Sequence, residues 1–142
     1  MAIHFFSEDV DFKLKSPLKF KKWIESVTKK EKRRVGDITY IFCSDTYLLG
    51  LNQQFLKHNT LTDIITFDFS KDRMVSGEIY ISVDRVQENA DKFEVDSQEE
   101  LSRVMIHGVL HLCGYKDKSK PDKILMREKE DAYLSLWRRS FT

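Results

Sequence analysis

Between Val104 and Cys113 the chain reads VMIHGVLHLC, a run in which every residue is apolar except His107, Gly108 and His111. Read as a helix, this run has no polar face to offer solvent, so it must lie at the centre of the fold with other elements packed around it. Ser97 and Glu100 ahead of it read as a capping box, and Gly114 just beyond Cys113 supplies the stop. A histidine in such surroundings needs a hydrogen-bond partner or a metal, because an unpaired buried polar group costs about 1 to 3 kcal/mol. Two of them four residues apart ask for one shared explanation.

The other elements follow from periodicity and punctuation. Ile3 to Phe6 is a short strand. Ser16-Pro17 opens a helix, with a hydroxyl cap and proline at the first helical position, whose buried face is Phe20, Trp23, Ile24 and Val27. Asp37 to Cys43 is apolar on both faces and belongs inside the sheet. Ser44 or Asp45 caps a second helix with Leu48, Leu51 and Phe55 facing inward. Thr62 to Phe69 and Gly77 to Ser82 form a hairpin across the polar KDRMVS. Val86, Ala90 and Phe93 mark a third helix. After the histidine helix, Pro121 starts a fifth that carries Leu125, Met126, Tyr133, Leu134 and Trp137 and ends near Arg138 and Arg139. The expectation is an α+β fold, loosely α/β, with a small mixed sheet of about four strands packed with about five helices.

The histidine pair defines a metal-site hypothesis. Side chains four apart on a helix project from one face, so His107 and His111 reach one ion. Zinc in a catalytic site takes three protein ligands, and a glycine that reverses the chain at Gly114 returns Asp117 to the imidazoles as the third. The fourth position is then open to water, as in a hydrolytic site. Zinc peptidases carry a glutamate directly after the first histidine, and here that position is Gly108. Cys113 points to another side of the helix, and His4 and His58 lie on distant segments.

With 142 residues the chain is one domain, residues 1–142, long enough to bury a core. Its N-terminus carries acids where a signal peptide needs an apolar core, no run approaches the ~20 residues that span a bilayer, and two cysteines are too few for a disulfide framework. A cytoplasmic protein with no membrane contact is expected. The net charge of +1 conceals an asymmetry: residues 13 to 34 hold ten Lys or Arg against Glu25 and Glu31, which leaves the remainder about seven negative. Such a stripe suits phosphates, or equally a solvated helix face with Lys29 to Arg34 at a favourable helix C-terminus.

The string HGVLHLCGYKD at His107 to Asp117 resembles the HGxLHLxGYDH signature of the bacterial YbeY endoribonucleases. LNQQF at Leu51 to Phe55, TDIITF at Thr62 to Phe67 and GEIYIS at Gly77 to Ser82 are similar to further segments of that family, in the same order. The resemblance implies a single-strand-acting, metal-dependent endoribonuclease that matures the 3′ end of small-subunit ribosomal RNA and serves ribosome quality control. Its partners would be RNA and the small ribosomal subunit. The three metal histidines of the family fall on His107, His111 and Asp117, and a carboxylate oxygen can replace the third imidazole. The acidic residue before the third ligand is Lys116 here. The family's functional arginine falls on Leu56, leaving Lys57 and His58 as the nearest candidates for phosphate contact.

His107 is therefore expected to hold one zinc ion and activate water for attack on phosphorus. Asp63 and Glu78 are expected as a strand-end cap and an outward-facing residue. Arg103 either meets phosphate in the cleft or pairs with Glu99 or Glu100. The rival reading is a ribosome-assembly binding factor with a structural metal and no cleavage. A metal hydrolase for peptides or small esters is disfavoured by Gly108.

Overall fold

A computed structural model describes residues 2–58 and 60–140. Nine elements follow in order: β1 (Ala2–Ser7), α1 (Pro17–Lys30), β2 (Arg34–Cys43), α2 (Asp45–Phe55), β3 (Ile64–Asp68), β4 (Met74–Ser82), α3 (Val83–Lys92), α4 (Ser97–Leu112) and α5 (Lys120–Ser140). The strands form one mixed sheet in the order β1-β2-β4-β3, with β1 and β4 parallel to β2 and β3 antiparallel to β4. The fold is α+β with four strands and five helices among the described residues, as the periodicity implies.

Side-chain alternation along the strands divides the core in two. Ile38, Tyr40 and Phe42 of β2 and Val75, Ile79 and Ile81 of β4 face the main core under α1, α4 and α5, whereas Cys43 and Ile65 face Leu48 of α2 on the opposite side. The apolar run of α4 lies at the centre of the main core, with Met105, Ile106, Val109 and Leu110 fully buried. Each such side chain contributes about 1.5 to 3 kcal/mol relative to leaving it exposed. α1 and α5 close the layer through Trp23, which donates its indole N–H to the Tyr133 carbonyl at 3.0 Å and packs on Trp137 at 4.7 Å.

Gly108 explains how α4 approaches the sheet so closely. A Cβ at that position would meet Ile79 Cγ2 at 2.9 Å and Ile64 Cδ1 at 3.1 Å. The residue after His107 thus faces the sheet, where a side chain would collide with Ile79 and Ile64.

Several local expectations are corrected. Ser16 does not cap α1 with its hydroxyl: it adopts a left-handed conformation (φ 55°, ψ 53°) in place of the extended one from which a capping side chain reaches the first-turn N–H groups, and it makes no side-chain cap bond. α4 is capped one residue earlier than the expected box, by Asp96, whose carboxylate accepts from the Gln98 N–H at 3.0 Å; Glu100 turns into the interior and does not reach back. Phe55 and Phe93 stay exposed because the chain leaves each helix there, and Leu125 points outward on α5. β2 begins at Arg34, three residues before the expected start, through its pairing with Met74.

Candidate metal centre

α4 presents His107 and His111 on one face, rings 4.5 Å apart between centroids and nearly perpendicular at 84°. The turn that ends the helix then builds the rest of the site. Gly114 takes φ +103°, its N–H donates to the His111 carbonyl at 2.9 Å, and the Tyr115 N–H donates to the Leu110 carbonyl at 3.0 Å. This is a Schellman closure, which only a residue free of a Cβ adopts without strain. It aims the Tyr115 carbonyl at His111, whose Nδ1–H donates to it at 2.9 Å, and returns Asp117 beside both rings.

The second histidine bond comes from α5. His107 Nδ1 lies 2.6 Å from Oε2 of Glu130, a buried carboxylate whose Oε1 accepts from Arg103 at 2.8 Å. Burial works to raise the Glu130 carboxyl, but the bonds from His107 and Arg103 outweigh it and hold the group below the usual glutamate range. Glu130 is therefore an acceptor, and both Nδ1 atoms donate. In neutral rings that leaves each Nε2 with a lone pair.

These lone pairs converge. His107 Nε2 and His111 Nε2 are 3.0 Å apart, and each lies 3.2 Å from Asp117 Oδ2. Three acceptors crowded in this way, one of them a carboxylate, are an arrangement that a cation or a shared proton would relieve. A triangle of that size has a common point about 2 Å from every corner, the distance at which zinc binds nitrogen and oxygen. His107, His111 and Asp117 thus form a possible metal-binding group. A proton on His107 competes for the same place: burial disfavours it, but Glu130, Asp117 and Asp63 overcome burial and raise the ring's pKa.

The site opens into a cavity of about 920 Å³. His58 and Leu56 line it, whereas Lys57 is exposed and lies outside its lining residues. Asp63, expected as a strand-end cap, faces this cavity, and burial pushes its carboxyl up despite the opposing pull of His107. Glu100, also expected to serve the helix terminus, is buried in the same wall and likewise pushed up by burial. Arg103 pairs with neither Glu99 nor Glu100; it bridges Glu130 and Asp131. Glu78 accepts from the Tyr80 hydroxyl and lies outside the cavity lining. His4 is on β1, away from the cavity. Cys113 is buried with its thiol pushed up to about 11 by burial, and Cys43 to about 12, so neither is a ready thiolate.

Glu130 is the group beside the histidines that motif reading misses. A signal exists: Met126, Glu130, Tyr133, Leu134 and Trp137 share one helical stripe, and a glutamate within an apolar stripe must be paired.

Comparison with known proteins gives a consistent result. The family model described as Endoribonuclease YbeY matches residues 3–138. A protein of Flavobacterium psychrophilum named Endoribonuclease YbeY is 54% identical over 132 residues, covering 93% of this chain and 94% of its own. One of the same name from Cytophaga hutchinsonii is 48% identical over 136 residues, covering 95% of each. The solution structure of TM1509 from Thermotoga maritima superimposes with a TM-score of 0.67 at 31% identity, over 96% of this chain and 90% of that one.

Proposed function

Because the chain belongs to the YbeY endoribonuclease family, we propose that it is a zinc-dependent, single-strand-specific endoribonuclease, one domain over residues 1–142, that matures the 3′ end of small-subunit ribosomal RNA. The observation that carries this reading is the convergence of His107 Nε2, His111 Nε2 and Asp117 Oδ2 at the mouth of a large cavity. Three protein ligands, and not four, are what a catalytic zinc site has. A zinc ion there supplies a Lewis acid for a phosphoryl oxygen and a means of ionising water near neutral pH.

The chain's own groups do the rest. Glu130 and the Tyr115 carbonyl fix the tautomer and tilt of His107 and His111, so both Nε2 atoms stay available. Asp63, which lines the cavity within electrostatic reach of His107 and has its carboxyl raised by burial, is a group suited to accept a proton there. Phe93, exposed on the cavity rim, offers a face on which an unpaired base stacks. His58 is the cavity-lining candidate for phosphate contact, with Lys57 beside it in sequence. A cytoplasmic setting, with ribosomal RNA and the small subunit as partners, fits two free buried thiols and a set of helices among which none, in the described residues, is long and apolar enough to cross a membrane.

Leu56 favours one rival. With an exposed leucine where the resemblance implies arginine, the protein could bind RNA during ribosome assembly around a structural metal without cutting. Incubating zinc-loaded protein with structured and unstructured RNA, with and without chelator, separates the two. We expect cleavage of unstructured RNA that chelator stops, and His107→Ala lacking both stoichiometric zinc and cleavage. Full cleavage by metal-free His107→Ala protein overturns the nuclease mechanism, and binding without any cleavage by the loaded wild type favours the assembly factor.

A further inference from the structure

The catalytic cavity has little positive charge with which to hold RNA. Its lining acids Asp63, Asp68, Glu100, Asp117 and Glu130 offset Arg103, Lys116, Lys118 and Arg127, and Arg103 is already bonded to Glu130 and Asp131. Phosphate contacts supply a large share of the affinity of a protein for single-stranded RNA, so a cavity with this charge balance calls for further contacts elsewhere on the molecule.

A second hollow of about 740 Å³ lies between one face of α1 and the first residues of β1 and β2. It is lined by Lys21, Lys29, Arg33 and Arg34, with Glu25 as its one acid. Lys21, Glu25 and Lys29 recur every four residues and so share one stripe of α1. Arg33 and Arg34 are set beside them by the turn after α1, where Lys32 takes φ 60° and the Arg33 N–H donates to the Thr28 carbonyl at 2.8 Å. None of these four cations is in an ion pair among the described residues. A favourable interaction with the helix C-terminus does not account for Lys21, which lies in the N-terminal half of α1, or for Arg34, which is on β2.

Arg33 connects this hollow to the metal centre. Its Nη2 lies 3.8 Å from where a Cβ on Gly114 would project, and Gly114 lines the catalytic cavity. The shared wall is fastened by the Tyr115 hydroxyl, which donates to Glu31 at the end of α1 at 2.6 Å. We propose that a single-stranded RNA whose scissile phosphate sits in the catalytic cavity continues across Gly114, past Arg33, into the hollow, where Lys21, Lys29 and Arg34 hold its backbone phosphates. The direction of the strand from the cavity rests on the nuclease reading; binding in the hollow does not.

The test is fluorescence anisotropy of a labelled unstructured RNA with the metal-free full chain, repeated across a range of KCl concentrations. Lys29→Glu/Arg34→Glu is compared with Lys22→Glu/Lys30→Glu, an equal charge change at exposed α1 positions outside the hollow. The first pair is expected to weaken binding about tenfold or more and to flatten the log K against log salt slope by about 1.4, two contacts at ~0.7 each. The second pair is expected to change affinity less than about threefold, through diffuse charge alone. Equal weakening by both pairs, or no weakening by the first, overturns the track; the latter leaves these cations to some other anionic surface. Should the glutamate pair fail to fold, Lys29→Gln/Arg34→Gln must show the same flattening with a smaller loss. Cleavage by the zinc-loaded wild type is scored separately, so RNA bound with this salt dependence but left intact retains the hollow and removes the nuclease reading.

Discussion

Glu130→Gln removes one charge and almost no volume, which isolates what the carboxylate does for the metal centre. In the native protein its two oxygens accept from His107 at 2.6 Å and Arg103 at 2.8 Å. A hydrogen bond to a charged group nets about 1.5 to 3 kcal/mol and a neutral one about 0.5 to 1.5, so each exchange costs about 1 to 1.5 kcal/mol. The amide presents only one acceptor, and its NH₂ group then confronts either His107 Nδ1–H or the Arg103 guanidinium. Whichever arrangement wins, the His107 ring is less firmly held and its Nε2 is a weaker donor to metal. At about 1.4 kcal/mol per tenfold, one to two such bonds correspond to a ten- to hundredfold loss of zinc affinity. Competition against a chromophoric chelator near neutral pH measures this directly, with thermal melting of the metal-free protein alongside. Glu130→Ala should add a large stability loss, about 3 to 5 kcal/mol, by leaving Arg103 and His107 beside a buried hole. A well-folded Glu130→Gln protein that binds zinc within twofold of wild type would refute the role assigned to this carboxylate.

Gly108→Ala gains about 1 kcal/mol of helix propensity but presses a methyl to 2.9 Å from Ile79 Cγ2, and overpacking of this kind costs about 1 to 3 kcal/mol. A net loss of about 1 kcal/mol, read as a lower urea midpoint, is expected; a more stable variant would mean the helix lifts off the sheet freely. At Glu31, burial raises the carboxyl, but bonds from Tyr115 and Tyr133 and the nearby Lys129 outweigh it and hold the pKa below the ordinary 4.5. Because the folded value is the depressed one, this contribution is present above about pH 4.5 and lost as the pH falls below it. Glu31→Gln should therefore be less stable near neutrality yet decline less steeply than wild type on acidification below 4.5. Parallel declines in urea midpoint across that window would remove Glu31 from the account.

The long-period features were legible in the sequence because they depend on neighbours along the chain. The stripe Phe20, Trp23, Ile24 and Val27 marks the buried face of α1, and the runs around Ile65 and Ile79 pair as a hairpin. Features set by one or two residues at an element's end were not. Asp96 and Ser97 are both competent caps, and only the path of the chain into α4 decides between them. Phe55 and Phe93 fit their helical stripes but fall where the helix stops. Asp63 and Glu100 read as terminal polar residues, and it is the crossing of α4 over β3 that turns them into one cavity.

Sequence alone determined that His107 and His111 share a face and that the chain reverses at Gly114, since both follow from helix geometry and from the one residue free to take φ +103°. Tertiary structure alone decided what stands behind those rings. Glu130 is 23 residues away from His107 and reaches it only because α5 packs across α4, and Arg33 meets the metal turn only because the end of α1 abuts it. Contacts between separate elements depend on how whole faces pack, and the spacing of residues along a chain carries no record of that distance.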